Sequence, residues 1–136
     1  MLNGFHHVAL IVSDYDRSKQ FYTEILGLKI IAETHRAARH SMKLDLQIPG
    51  GGQLELFSFP DPPARPSTPE ACGLRHLAFR VTDIDATIHA LAAKGVAVEA
   101  IRVDPNTGSR FTFFADPDGL PIELYEVSRI ADPDSH

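Results

Sequence analysis

The chain has 136 residues, 43% of them hydrophobic, with a formal net charge of −5 and a single cysteine. Those totals fit one globular domain with a buried core; the acidic balance and the lack of a basic stripe exclude nucleic acid as a partner. Cys72 alone cannot form an internal disulfide and is read as structural, in keeping with a reducing, cytoplasmic location. The longest apolar run near the start, VALIV, is too short for a signal peptide or membrane span, so no membrane partner is expected.

In chain order, alternation in FHHVALIV predicts a strand over 5–12, with His7, Ala9 and Ile11 on one face and Val8, Leu10 and Val12 on the other. Ser13/Asp14 then caps a helix over 14–26, whose apolar stripe is Tyr15, Phe21, Tyr22, Ile25 and Leu26, with Gly27 at its C-cap. Strands follow over 28–35, 42–48 and 53–58. The stretch FPDPPARPSTPEACG holds five prolines from Pro60 to Pro69 and reads as an extended linker. Next come a strand over 75–81 and a helix over 83–94 capped by Thr82/Asp83, with stripe Ile84, Ile88, Leu91 and Ala92 and a Gly95 stop. Strands over 96–102, 111–115 and 120–127 complete the pattern, the last fed by the turn ADPDGLP.

This order is written twice. His7 and His76 are separated by 69 residues, as are Asp14 and Asp83; Gly27 and Gly95 are separated by 68, as are Glu55 and Glu123. An internal repeat in such register predicts two similar structural units. The fold class expected is α+β, two tandem βαβββ modules in one domain over 1–136: module 1 at 4–59, linker 60–73, module 2 at 74–128 and a tail at 129–136.

Four polar residues stand out. Alternation puts Glu55 opposite Leu54 and Leu56, and Glu123 opposite Ile122 and Leu124, on the faces that carry His7 and His76. Two imidazoles and two carboxylates of common parity supply nitrogen and oxygen donors for one divalent ion, which would also compensate buried carboxylates. Without thiolate, Ni²⁺, Zn²⁺, Co²⁺, Mn²⁺ and Fe²⁺ all remain open. Alternation turns His6 toward the helix-packing face, and the repeat pairs His7 with His76, so His7 is the expected ligand. His35, His40, His89 and His136 have no repeat partner and are taken as non-ligands. Arg36, Arg39 and Arg110 are candidates for holding an anionic substrate.

The segments HVALIVSDYDRSKQFYTEILGLK, LELF, GLRHLAFRVTDID and FFADPDGLPIELYE resemble the vicinal oxygen chelate superfamily, in particular its glyoxalase I-like branch. The resemblance implies two βαβββ modules around one metal site, with His7, Glu55, His76 and Glu123 as ligands. It also implies a lyase or isomerase in which the metal chelates adjacent substrate oxygens and stabilises an enediolate-like anion. Glu123 is then the catalytic base, with Glu55 its symmetry-related rival. The two modules could close one cup within a chain or pair between two chains. The stiff Pro-rich linker favours holding them apart and the resemblance suggests a dimer, so a homodimer with metal sites shared between chains is expected. Glyoxalase I enzymes carry Arg four residues after the first His and Asn four after the first Glu, both contacting glutathione. Here these positions hold Ile11 and Phe59, so the expected substrate is a small vicinal-oxygen compound that need not carry glutathione. Alternatives are an Fe(II)-dependent dioxygenase and a non-catalytic ligand-binding module.

Overall fold

In the computed structural model residues 1–128 are described; the tail expected over 129–136, with His136, lies outside them. The chain divides into two compact units, Met1–Arg65 and a second beginning at Pro66. Among the described residues no helix is long and apolar enough to cross a membrane.

The first unit runs β1 (His7–Val12), α1 (Tyr15–Gln20), a π-helical turn (Phe21–Ile25), β2 (Lys29–Arg36), a 3₁₀ turn (Ala37–Arg39), β3 (Ser41–Gln47) and β4 (Gln53–Ser58). The second runs β5 (Leu77–Val81), α2 (Ile84–Ala93), β6 (Arg102–Val103), β7 (Arg110–Ala115) and β8 (Pro121–Glu126). Their sheets have the same topology, β1-β4-β3-β2 and β5-β8-β7-β6, with the first pair parallel and the others antiparallel. Two βαβββ modules are therefore present, and the chain between them, from Phe59 to His76, forms no helix or strand.

Local chemistry explains why both modules start alike. Asp14 and Asp83 sit in extended conformation before their helices, and their carboxylates accept from the Arg17 and Ala86 amides at 3.2 and 3.0 Å. Gly27 and Gly95 take φ of +76° and +82°, the left-handed cap that an L side chain resists. In the first unit the buried face of the sheet is Leu10, Val12, Leu44, Leu46, Leu54 and Leu56, covered by Phe21 and Tyr22. In the second unit Phe114, Ile122 and Leu124 are buried with Ile84 and Leu91 of α2. Burying each such side chain contributes about 1.5–3 kcal/mol, so alternation alone fixes which sheet face is left for polar residues.

Three expectations need correcting. The first helix is not α-helical to residue 26: the Thr23 hydroxyl donates to the Lys19 carbonyl at 2.6 Å and the ladder widens, with Leu26 donating five residues back to Phe21. The strand expected over 96–102 shrinks to Arg102–Val103. Upstream, contact with β7 passes through single bonds, Glu99 N–H to the Phe113 carbonyl and the Thr112 hydroxyl to the Glu99 carbonyl, which do not build a ladder. Ala92, placed in the stripe of α2, is exposed, because it lies one residue past the buried Leu91.

Candidate metal centre

His7 opens β1, and Glu55 stands in the middle of the neighbouring parallel strand β4, in register with Ala9. That offset points both side chains to the sheet face away from α1 and brings His7 Nδ1 within 3.5 Å of Glu55 Oε2. The second module repeats the arrangement. His76 precedes β5, Glu123 pairs in register with Ala78, and His76 Nε2 lies 3.8 Å from Glu123 Oε2. Both glutamates are shielded by their sheets, Glu55 at 7% exposure. Each unit thus presents one imidazole–carboxylate pair.

The pairs differ in their neighbours. Across β3, Asp45 is in register with Glu55, and Lys43 Nζ lies 3.4 Å from Asp45 Oδ1 and 3.7 Å from Glu55 Oε1. Asp45 Oδ1 is a buried acceptor without a hydrogen bond. Across β7, Phe113 is in register with Glu123 and meets the His76 ring edge-on at 5.2 Å. No lysine or arginine contacts Glu123 among the described residues. Two carboxylates against one ammonium leave a net negative site in the first unit, and the lone carboxylate of the second touches no lysine or arginine among the described residues. An oxygen- and nitrogen-donor set of this kind fits a divalent cation.

The model of the Glyoxalase/Bleomycin resistance protein/Dioxygenase superfamily matches residues 4–124. The chain belongs to that superfamily. It is 59% identical over 125 residues to the Escherichia coli protein YaeR, covering 92% of this chain and 97% of that one. A solved glyoxalase family protein from Enterococcus faecalis is 50% identical, with a TM-score of 0.84 and coverage of 90% and 97%. More distant relatives include a probable lactoylglutathione lyase of Vibrio parahaemolyticus, 33% identical with 93% of each chain covered. Another is a 2-epi-5-epi-valiolone epimerase of an Actinomyces species, 32% identical over 90% of this chain and 78% of the epimerase.

Within this superfamily fold the three arginines singled out from sequence fall in different places. Arg36 lies over the Phe57 ring, 5.8 Å from its centroid, two residues along β4 from Glu55 and on the same face. Arg39 lies over Phe59, past the end of that strand, at 5.3 Å. Arg110 is a correction. It shares the parity of the buried Thr112 and Phe114, and its guanidinium is bound to Glu126 through Nε and Nη2 at 2.9 Å and to Asp85 at 3.0 Å. It ties β7 and β8 to α2 on the helix side of the sheet, away from the Glu123 face. These bonds hold the Glu126 carboxyl below its usual range, with help from the Ile84 amide, and push the Arg110 guanidinium up.

Sequence reasoning passed over other residues on the Glu55 and Glu123 faces. Lys43 and Asp45 were legible as the polar half of SMKLDLQ, where they alternate with Met42, Leu44 and Leu46. Arg102 lies over Phe111 and Phe113 at 5.1 and 5.3 Å, on the Glu123 face because it pairs with Phe111. Tyr125, on the same face, donates to Asp104 at 3.0 Å and bonds Thr107. The Asn106 amide, followed by Tyr125, keeps the Asp104 carboxyl below its usual range.

His6 is a further correction. Strand β1 begins at His7, so alternation does not extend back to residue 6. His6 is exposed, and its Nδ1 lies 2.8 Å from His7 Nδ1.

Proposed function

We propose that His7, Glu55, His76 and Glu123 together hold one divalent metal ion (Ni, Zn, Co, Mn or Fe), and that the protein is a lyase or isomerase of glyoxalase I type. The single observation that carries this reading is the twofold recurrence of an imidazole–carboxylate pair in the same strand register, 3.5 Å apart in one module and 3.8 Å in the other. When bound, the ion supplies a Lewis acid for a substrate with two neighbouring oxygens. The chain's own part is proton transfer at the carbon beside the carbonyl. Glu123 is the better placed of the two carboxylates to take that proton, because Lys43 already faces Glu55 and no cation contacts Glu123 among the described residues.

Substrate binding falls to the faces around these pairs. Arg36 over Phe57 and Arg102 over Phe111 and Phe113 set cations against aromatic walls, a combination suited to a small anionic or polar carbonyl compound. Ile11 is 61% exposed on the same face as His7, and Phe59 stacks on Phe57 at 6.3 Å; neither offers a polar grip for glutathione. The similarity to a probable lactoylglutathione lyase and to an epimerase supports proton transfer beside a carbonyl as the shared chemistry. We further propose a homodimer in which each ion takes His7 and Glu55 from one chain and His76 and Glu123 from the other.

Metal analysis of the purified chain, followed by assay of thiohemiacetals of methylglyoxal with several thiols, tests this function. One divalent ion per chain is expected. At saturating metal, Glu123→Gln should lower turnover about 10²–10⁴-fold, while Glu55→Gln should act mainly on metal affinity. A chain that binds no divalent ion, with both variants silent, removes the proposal.

A further inference from the structure

His6 has no place in the four-ligand scheme, yet its position is well defined. Its carbonyl accepts from the Gln53 amide at 2.9 Å, which fastens residue 6 to the start of β4 just ahead of Glu55. Its ring lies edge-on to that of His7, with centroids 5.1 Å apart and planes at 85°. The two Nδ1 atoms face each other at 2.8 Å, and His7 Nδ1 is also 3.5 Å from Glu55 Oε2.

These separations are those of donors around one ion. With metal–donor bonds of about 2.1 Å, neighbouring donors lie about 3.0 Å apart at right angles and about 3.4 Å apart at tetrahedral angles. The donor atoms of His6, His7 and Glu55 all lie within 4.8 Å of one another. Two facing imidazole nitrogens repel unless a proton or a cation sits between them. Behind the trio, Asp45 adds a second carboxylate whose Oδ1 is buried without a hydrogen bond, against a single ammonium from Lys43. His6 also lines a cavity of about 320 Å³ with Phe5, Ile31, Ile48 and Gln53, and both His6 and His7 are exposed, which leaves two of the three donors reachable by ions from solvent.

We propose that His6, His7 and Glu55 form a three-donor divalent-cation site carried wholly by the first module, which holds the ion without any contribution from His76 and Glu123. The inference rests on the metal-site reading above and deepens it: the first module is the loading half of the site, and His6 is a ligand there.

The test uses the full chain, stripped with chelator and titrated with Co²⁺ alone, with visible absorption and calorimetry as readouts. The variant His76→Ala/Glu123→Gln should still bind one Co²⁺ per chain. Adding His6→Ala to it should weaken binding at least about tenfold, with thermal melts checking that the fold survives and His6→Asn standing in if it does not. If the wild-type chain binds no Co²⁺, the metal-site reading itself fails. If the wild type binds but the His76→Ala/Glu123→Gln variant does not, the four-ligand reading stands and the three-donor site falls. If that variant binds and loss of His6 changes nothing, His6 is only a hydrogen-bonding neighbour of His7 and the inference is overturned.

Discussion

Glu55 and Glu123 occupy the same register position, each opposite an alanine two residues beyond a histidine, but the strand on their other side differs. Glu55 faces Asp45 and Lys43, and its histidine has His6 beside it. Glu123 faces Phe113, and its histidine rests on that ring. What the two modules hold in common is backbone register, which aims the pair; what differs is the charge around it. A polar, net-negative half is suited to gathering a cation. The other half, whose carboxylate faces an aromatic ring and contacts no lysine or arginine among the described residues, is suited to moving a proton.

The sharpest way to break this comparison is to separate the halves. Mixing His7→Ala chains with Glu123→Ala chains should regenerate tight metal sites if each is built from two chains. After random exchange half the dimers are mixed, and each has one site with all four ligands, so about one quarter of sites should be complete and turnover should rise with them from near zero in either variant alone. Turnover at saturating metal reads this directly, because the Glu123→Ala chain keeps the three-donor site of the first module and with it bound metal. No recovery after verified exchange would mean that each chain completes its own site.

The cores should behave alike where the sites do not. Leu54 and Ile122 are both fully buried, each one residue before its glutamate. Leu54→Ala and Ile122→Ala should each cost about 2–5 kcal/mol in denaturant unfolding. A large cost in one module and a small one in the other would show that the two units do not share the stability load.

The pattern of apolar alternation explains why so much was readable beforehand. Leu10, Val12, Leu54, Leu56, Ile122 and Leu124 alternate strictly and must be buried, so the parity of His7, Glu55 and Glu123 follows. The caps Asp14 and Asp83 were legible for a similarly local reason. Arg110 was not, because its role depends on Asp85 and Glu126, which only the folded second module brings to it. His6 was misread because alternation was carried one residue past the end of the strand. The π-helical turn depends on one hydroxyl, Thr23, competing with the backbone, and apolar spacing does not register that.

A smaller effect isolates Lys43. Its ammonium lies beside both Glu55 and Asp45, so it partly cancels the charge that would attract an ion. Lys43→Met should tighten divalent binding about tenfold at low ionic strength, with the gain fading as salt rises. Among the described residues no lysine or arginine contacts Glu123, so this test has no direct counterpart there. Weaker binding in Lys43→Met would mean instead that Lys43 serves mainly to hold the two carboxylates in place.

The smallest expected effect concerns how each helix is fastened. In the first module Glu33 of β2 receives the Tyr15 hydroxyl and the Lys19 ammonium of α1, and Lys19 foremost keeps its carboxyl below the usual range. The second module uses Glu126, which accepts two bonds from Arg110 and one from the Ile84 amide at the start of α2. A carboxyl lowered in the folded state contributes stability above its ordinary value near 4.5, and that contribution fades as pH falls through the lower folded value. Glu126→Gln should therefore lower the melting temperature modestly at pH 7, and the gap to wild type should close as the pH falls below about 4.5. Glu33→Gln should show the same sign through α1. A gap of constant size down to pH 3 would mean that Glu126 acts through shape and hydrogen bonding alone, with its charge contributing nothing to holding α2.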